Sequence, residues 1–488
     1  AIDTNTLEVK AGMARASFSN YSIPGSVSIS GEKIGFRLKW LSQSGVNDHP
    51  YTDPNDLKQK RQFNAEAKLF GLQNDFIIKL TNKTELNIKN WIQKSDRNIP
   101  GFFGQTLNAR NQIDEFYRNS ISLKHTLNNN IKFQFKSALF REFLWYKDSL
   151  AGFDEQSQST ASFNEFDFIF SKSKIELLVR GLYHHNWAFS EGYTGNGAWV
   201  QNKIGLMTFI KYKINRSFHA TLNLRKELIN TINVPVVPSA SLLIFINKFL
   251  RLNMNFSSVY RYPTFNELYW NPGGNINLLP ETGYKGDFDL IFNKIYKRIK
   301  IESSFSAYWS RIKNMVQWQP RGLLFVVPVN LLMVQNIGSE FHLNLEYKLN
   351  KHNFLISYSN SYTRSTNIKS AFAGDNSVGK QLIYIPFYQN RLGITYMNRA
   401  GFISTQIINN SFSYITADNS SFIKGFNVLN FSAGMPISIS KSLSTNINFG
   451  INNLLNVNYI TKANLPMPGR NYRIQLLIEF KNKFKPKK

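Results

Sequence analysis

Apolar and polar residues alternate along most of this chain, in strand-length segments separated by polar connections. Leu443, Thr445, Ile447, Phe449 and Ile451 alternate with small polar residues and Gly450, and a similar alternation runs from Tyr472 to Phe480. In a strand, these two sets of side chains face opposite sides. The chain contains about 22 such segments, which predicts an all-β protein of antiparallel strands.

The connections between these segments alternate between short and long. Short turns rich in Asn, Gly or charged residues are expected at residues 31–33, 73–75, 128–130, 171–174, 213–216, 247–248, 294–298, 350–351, 398–401 and 436–441. Long polar loops are expected at residues 44–62, 92–115, 147–161, 188–200 and 365–379. Short turns at one end and long loops at the other are typical of an even-stranded transmembrane barrel, with both chain ends on the short-turn side.

Two other fold classes, a β-sandwich and a helical membrane protein, are the alternatives to the barrel. The strands of a β-sandwich also alternate, so alternation alone does not separate the two, and the connection lengths favour the barrel. No apolar run reaches the roughly 18 residues that a membrane-spanning helix needs. The longest candidate, residues 323–334, is interrupted by Pro328 and Asn330. Aromatic residues near strand ends, such as Trp145 and Trp309, suit a girdle at a membrane interface.

Composition narrows the possible functions. The 488 residues include no cysteine, which excludes disulfides, thiolate metal sites and cysteine nucleophiles. The net charge of +27 attracts anions, but the basic residues are scattered and no nucleic-acid motif accompanies them, so nucleic acid is not an expected partner. The seven histidines are dispersed, and no HExxH, GxSxG or phosphate-loop motif occurs, so we expect no enzyme activity.

One acidic cluster raises the question of a bound metal. Asp48, Asp53 and Asp56 lie within nine residues of the loop expected after the third strand. Three carboxylates this close can supply oxygen ligands to calcium, the only cofactor that the sequence suggests. The alternative is that they shape turns together with Pro50 and Pro54, and we favour it.

Three stretches resemble the TonB-dependent outer-membrane receptors. Residues 260–268 read Y-R-Y-P-T-F-N-E-L and are followed by L-L-P-E at 278–281, similar to the family's F-R-x-P-T-x-x-E-L and L-x-P-E. Residues 451–459 read I-N-N-L-L-N-V-N-Y, similar to N-L-F-N-x-x-Y, and residues 468–470 match the P-G-R that starts the closing strand. Tyr260 and Leu455 stand where the family has Phe. Residues 312–318, 328–330 and 338–340 also resemble the vitamin B12 receptor-like branch.

The resemblance implies a domain organisation and a location. It implies a 22-stranded antiparallel transmembrane β-barrel over residues 6–480, with residues 1–5 as a remnant of the plug–barrel junction and 481–488 as a basic C-terminal tail. In this family an N-terminal plug precedes the barrel, and we expect that plug domain to be absent here, because residue 1 already resembles the plug's end. The implied location is the outer membrane of a Gram-negative bacterium, with outer-membrane lipids and TonB, acting through a plug, as partners.

The function implied by the resemblance is active uptake of a large, scarce solute, either a siderophore–metal complex or a cobalamin-like molecule. Aromatic faces combined with a fixed cation bind large, partly anionic solutes such as metal chelates. The candidate contacts on outward loops are Tyr269, Trp270, Trp318 and Arg321. The alternative is a plugless pore or a barrel scaffold for a partner surface lipoprotein. A soluble or adhesive β protein ranks third.

Overall fold

Long antiparallel strands account for most of the computed structural model, which describes residues 5–54, 56–105, 107–195, 197–321, 325–369 and 375–484. Within these residues, one sheet contains 22 long strands, here β1–β22. Their bounds, in order, are Thr6–Ala16, Asn20–Ser30, Ile34–Gly45, Ala67–Thr81, Thr84–Asn98, Arg110–Thr126, Ile131–Asp148, Phe153–Lys172, Ile175–Ser190, Ala198–Lys213, Phe218–Ile229, Val237–Phe245, Leu250–Arg261, Glu281–Tyr296, Ile299–Arg321, Phe325–Leu349, His352–Lys369, Tyr388–Asn398, Gly401–Asn410, Phe426–Ser438, Leu443–Asn452 and Asn471–Lys483.

The sheet closes on itself. Each strand pairs antiparallel with its neighbours in sequence, and β1 pairs with β22 from Thr6↔Lys483 to Ala16↔Arg473. Closure pairs the first strand with the last and so removes the two free edges that an open sheet would have. The all-β class and the 22-stranded antiparallel barrel expected from the sequence are therefore confirmed. β22 continues to Lys483, three residues beyond the expected end at Phe480.

The two faces of the wall differ as the alternation predicts. On β22, Ile474, Leu476 and Ile478 are all more than two-fifths exposed and form part of an apolar outer surface. Apart from Leu477, the alternate positions of β22 carry polar or charged side chains, which face the lumen. There, Lys10 contacts Glu8 at 2.9 Å and Glu479 at 3.4 Å. The large apolar side chains thus lie mostly outside, as expected of a barrel wall that meets lipid.

The short connections lie at the end that carries both chain termini. They occupy residues 31–33, 82–83, 127–130, 173–174, 214–217, 246–249, 297–298, 350–351, 399–400 and 439–442. Nine of the ten expected turns overlap this set. The turn expected at 73–75 is wrong, because β4 runs through it to Thr81. Gln73 and Asp75 face the lumen opposite Lys39 and Arg37 of β3, where polar side chains do not interrupt a strand.

The opposite end carries the longer connections, although residues 17–19 and 149–152 form short connections there. The long loop expected at residues 147–161 is wrong: β7 continues to Asp148 and β8 begins at Phe153, so only four residues join them. Asp148 closes this turn by accepting hydrogen bonds from the backbone N–H groups of Leu150 (3.1 Å) and Ala151 (3.2 Å). The two strands stay paired through this polar segment because ladder hydrogen bonds join backbone groups and do not depend on apolar side chains.

Short strands and one short helix lie in the loops at the loop-bearing end. Two-stranded pairs form between Pro50–Thr52 and Gln59–Arg61, Ser413–Tyr414 and Phe422–Ile423, and Ile460–Lys462 and Leu465–Pro466, while Ile232–Asn233 extends the main sheet beside β11. Among the described residues, one helix, α1 (Phe265–Tyr269), lies in the loop between β13 and β14. No helix in the described ranges has the length and apolar character to cross a membrane.

Candidate functional site

The loop between β13 and β14 is positioned by the helix α1. Thr264 precedes α1 and accepts a hydrogen bond from the Glu267 backbone N–H at 3.4 Å, while the Glu267 carboxylate accepts one from the Thr264 backbone N–H at 2.7 Å. This reciprocal pair is a capping box, which satisfies two backbone donors at the helix start. The T-x-x-E part of the sequence motif, Thr264 to Glu267, thus caps the start of α1.

Arg261, the last residue of β13, holds this loop against the barrel rim. Its guanidinium donates to Glu267 at 3.0 Å and to Glu281, the first residue of β14, at 2.5 Å. Glu281 also accepts from the Val316 backbone N–H at 2.8 Å. Burial raises the pKa of Glu267, but the hydrogen bonds from Arg261 and Thr264 outweigh it and hold that pKa below its ordinary value. The arginine and glutamates of the motif therefore act as a clamp.

Two of the four predicted contact residues are brought together by this clamp. Tyr269 stacks on Trp199 of β10, with ring centroids 3.5 Å apart and planes within 1° of parallel. Trp270 packs edge-on against Tyr193 from the neighbouring loop, at 6.2 Å between centroids. Burial raises the pKa of both tyrosines, so their hydroxyls remain protonated at neutral pH. The result is an aromatic cluster at the loop-bearing end.

The other two predicted residues are placed differently. Trp318 lies far out on β15, opposite Pro328 of β16, and has no ring contact with Tyr269 or Trp270 in the described structure. The β15–β16 hairpin reaches the α1 loop through Asn330, whose side-chain oxygen accepts from the Leu279 backbone N–H at 2.9 Å. The side chain of Arg321 lies outside the described residues. That all four residues contact one solute thus stays a prediction.

A cavity of about 400 Å³ lies beneath the α1 loop. Strand residues Lys203, Arg225 and Glu227 line it on the lumen side, and Phe265 lines it from the loop. Glu227 is 6% exposed and lies 3.9 Å from Lys203 Nζ and 3.8 Å from Arg225 Nε, too far for hydrogen bonds. Two cations therefore share one carboxylate, which leaves the cavity with net positive charge.

Two buried donors, one in the cavity lining and one on an adjoining strand, make no hydrogen bond to described residues. Arg225 Nε and Trp199 Nε1 are both buried and make no hydrogen bond to any described residue. Trp199 pairs directly with Ala188, which lines the cavity. Both groups can only donate, and each unsatisfied buried donor costs about 1–3 kcal/mol. The site is chemically suited to an oxygen-rich anion.

Sequence reasoning missed Trp199, Lys203 and Arg225. They lie on two neighbouring strands, with Lys203 opposite Ile229 in the ladder. Their clustering depends on strand register and on the docking of α1, neither of which a single sequence displays. The only available signal was their lumen-facing position in the alternation, which they share with many other polar residues.

The acidic cluster of residues 48–56 is engaged by basic side chains. Lys60 lies 2.7 Å from the fully buried Asp53 and 2.9 Å from Asp56, and Arg61 contacts Asp48 at 2.8 Å. Hydrogen bonds to Asp53 and Asp56 raise the pKa of Lys60. Nowhere in the described ranges do three or more acidic or histidine side chains form an arrangement suited to a metal ion. Calcium binding stays a prediction, and these ion pairs favour the turn-shaping alternative.

An apolar outer wall, a charged lumen and loops gathered at one end define the class of large outer-membrane-type β-barrels. Residues 13–454 match the family described as "TonB dependent receptor-like, beta-barrel". The chain belongs to this family. Its members are transporters and receptors of Gram-negative outer membranes and not enzymes, and the resemblance noted in the sequence is confirmed.

Individual relatives show how far the likeness extends. The vitamin B12 transporter BtuB of Photobacterium profundum is 21% identical over 227 residues, which cover 46% of this chain and 34% of that relative. Among solved structures, the copper transporter OprC has a TM-score of 0.78 at 12% identity, covering 98% of this chain and 81% of that one. The siderophore receptor PiuA from Acinetobacter baumannii has a TM-score of 0.76 at 14% identity, covering 98% and 82%. The chain thus spans about a third of the length of the curated BtuB relative. The two solved structures have the same fold as this chain.

Proposed function

We propose that this chain is the barrel of an outer-membrane receptor that binds a large, oxygen-rich, anionic solute at its outer mouth for active import. The proposed location is the outer membrane of a Gram-negative bacterium, with lipids around the apolar wall. The loop-bearing end faces outward. TonB is the proposed energy-coupling partner, acting through a plug domain as in the family that the motifs resemble.

The observation that carries this proposal is a cavity lined by two cations and one carboxylate, in which the buried Arg225 Nε makes no hydrogen bond to described residues. The buried Trp199 Nε1, on the strand that contributes Lys203 to the lining, likewise makes none. The rings of Trp187, Tyr260, Tyr262 and Phe265 line the cavity and offer flat apolar surface. A metal chelate presents both matching features, since it carries anionic oxygens around an extended organic framework.

The functions of these relatives support the solute class. BtuB transports vitamin B12, PiuA is a siderophore receptor and OprC transports copper. Two of these three handle a large metal complex. We therefore favour a siderophore–metal complex or a cobalamin-like molecule over a free ion, because the cavity adjoins aromatic rings and the described residues around it show no metal-ligand cluster.

Binding to the purified chain in detergent micelles tests this proposal. The probes are a ferric catecholate siderophore, a ferric hydroxamate siderophore, cyanocobalamin and Cu²⁺, each titrated calorimetrically. We expect at least one chelate to bind. Arg225→Gln should weaken that binding about 10- to 100-fold, because a hydrogen bond from a charged donor contributes roughly 1.5–3 kcal/mol.

The matched control is Arg391→Gln, which removes an exposed arginine from β18, away from the cavity. It should leave the affinity unchanged. Equal losses in both variants would show a general effect of charge and reject the site. The absence of binding by all four probes would reject the solute class.

A further inference from the structure

The short connections of the barrel carry charge of almost one sign. Nine of the ten contain a lysine or an arginine, and residues 127–130 form the exception. Glu32 is the one acidic residue in these turns, all of which lie within the described structure. The basic residues are Lys33, Lys83, Lys174, Arg216, Lys248, Lys297, Arg298, Lys351, Arg399 and Lys441. The end that bears both termini is therefore ringed by positive charge.

The connections at the opposite end show no such excess. Their described residues include eight acidic side chains, at positions 48, 53, 56, 66, 191, 267, 375 and 418. They include seven basic side chains, at positions 58, 60, 61, 380, 424, 462 and 470. Basic residues that are scattered along the sequence are thus gathered at one end by the topology of the barrel.

Two neighbouring turns bring the basic residues against aromatic rings. The turn at residues 246–249 precedes β13, and the turn at 297–298 follows β14, which pairs with β13. Lys248 Nζ lies 5.1 Å and Lys294 Nζ 4.9 Å from the centroid of the Phe249 ring. Lys297 Nζ lies 5.5 Å from the centroid of the Tyr296 ring. We call Lys248, Phe249, Lys294, Tyr296, Lys297 and Arg298 the basic turn patch.

The cations of this patch lack a counter-charge within the described structure. None of the four forms an ion pair with a described carboxylate. The nearby acidic side chains are already engaged, since Glu302 lies 2.7 Å from Lys300 and Glu346 lies 3.1 Å from Lys348. A cluster of exposed cations without carboxylates attracts an anionic partner.

The patch lies where the apolar outer wall ends. Tyr296 is 57% exposed and continues the outward row of apolar side chains along β14, which includes Phe288 and Phe292. Tyr347 of β16 and Phe354 of β17 hold outward positions at the same end, with ring centroids 6.3 Å apart. Such rings are typical of the level at which lipid headgroups meet hydrocarbon.

We propose that the basic turn patch binds the phosphate headgroup of an anionic phospholipid in the periplasmic leaflet. The lysines and Arg298 supply charge and hydrogen-bond donors for the phosphate, and the rings of Phe249 and Tyr296 offer apolar surface to the lipid. Ile246, which is exposed in the same turn, extends that apolar surface. The inference rests on the proposed placement of the barrel in the outer membrane.

Two other anionic partners could meet this end of the barrel, namely peptidoglycan and an acidic protein. Either would match the charge of the turns. Neither would account for the aromatic and apolar side chains that join the patch to the outer wall. A phospholipid matches both features, because its charged headgroup is attached to hydrocarbon chains.

The absence of cysteine allows one site on the patch to be labelled. Ile246→Cys is labelled with bimane, and the chain is reconstituted into phosphatidylethanolamine bilayers. Nitroxide-labelled phosphatidylglycerol or nitroxide-labelled phosphatidylethanolamine, with identical acyl chains, is then added as a quencher. We expect half-maximal quenching by phosphatidylglycerol at a mole fraction about 5- to 30-fold lower than by phosphatidylethanolamine, and a smaller ratio at high salt.

A charge-matched pair of variants locates the preference. Changing Lys248, Lys294, Lys297 and Arg298 together to Gln should remove the preference for phosphatidylglycerol. The control changes four exposed lysines of the loop-bearing end to Gln, which removes the same charge and should leave the preference intact. These lysines are Lys58, Lys380, Lys424 and Lys462.

Four results would overturn the inference. Equal quenching by the two lipids would show that the turn does not select an anionic headgroup. Equal losses in both variants would show an effect of net charge alone. A preference that survives in the patch variant would place the headgroup elsewhere. Sedimentation with purified peptidoglycan that depends on the patch, without a lipid preference, would assign these cations to the cell wall.

Separate measurements distinguish failure of this inference from failure of the proposed function. The patch variant should keep the heat-sensitive gel mobility of a folded barrel, and its affinity for the chelate should be unchanged because Arg225 lies towards the opposite end. A chain that does not insert into bilayers would contradict the proposed location. A barrel that inserts and binds the chelate but shows no lipid preference would contradict only the headgroup site.

Discussion

At the residue scale, one carboxylate links the α1 loop to the barrel rim. Glu267 accepts hydrogen bonds from Arg261 and from the Thr264 backbone. The folded-state pKa of Glu267 lies below its ordinary value of 4.5, because these hydrogen bonds outweigh the opposing effect of burial. The ionised carboxylate therefore stabilises the docked loop fully at a pH above 4.5, the ordinary pKa. This stabilisation is lost as the pH falls through the lowered pKa of the folded state.

We therefore predict that the loop undocks in acid. Fluorotryptophan labelling with ¹⁹F NMR should show the Trp199 and Trp270 signals moving together as the pH drops below 4.5, the ordinary pKa of Glu267. Glu267→Gln should place both signals near their acid positions already at neutral pH. Signals that stay fixed throughout this range, or an unaltered acid transition in Glu267→Gln, would show that the clamp does not depend on this carboxylate.

At the element scale, α1 depends on its capping residue. Thr264→Ala removes the acceptor for the Glu267 backbone N–H and should destabilise the short helix by about 0.5–2 kcal/mol. Hydrogen exchange of residues 265–269 should accelerate, while the unfolding free energy of the barrel stays unchanged because α1 lies outside its wall. The control Thr208→Ala, on β10, should leave exchange in α1 unaltered, and unaltered exchange in Thr264→Ala would contradict the role of the cap.

Strands and turns differ in how well the sequence reveals them. The turn near Asn128–Asn130 was predictable because Asn128 caps it, accepting from the backbone N–H of Asn130 and Ile131 at 2.9 Å each. The polar residues 73–75 resemble a turn equally well, but β4 passes through them with Gln73 and Asp75 in the lumen. A polar lumen and a polar loop look alike in sequence, and only the pairing partners distinguish them.

The candidate site shows the same limit. Tyr269 and Trp270 were predictable because they directly follow a recognisable loop motif. Arg225 and Trp199 were not, because their importance comes from the register of β10 and β11 and from the stacking of Tyr269. Which luminal charges converge on one cavity depends on strand alignment across the whole wall.

At the scale of the whole molecule, substitutions on a single strand can test which face of the barrel wall meets lipid. Leu476 is outward in the middle of β22, and its neighbour Gln475 faces the lumen. Leu476→Arg should lower the unfolding free energy in lipid vesicles by about 2–4 kcal/mol, the cost of a cation near the bilayer midplane. Gln475→Arg, the matched control, should change it far less. Equal effects of both substitutions would contradict the assignment of the two faces.

Energised uptake tests the central claim most directly. Cells producing the protein are given the radiolabelled form of the chelate that binds the purified chain, with and without a protonophore. We predict accumulation that stops when the proton gradient collapses and that falls sharply in Arg225→Gln but not in Arg391→Gln. Uptake that continues unchanged with the protonophore, or that is indifferent to Arg225→Gln, would instead indicate a passive pore and contradict the proposed receptor.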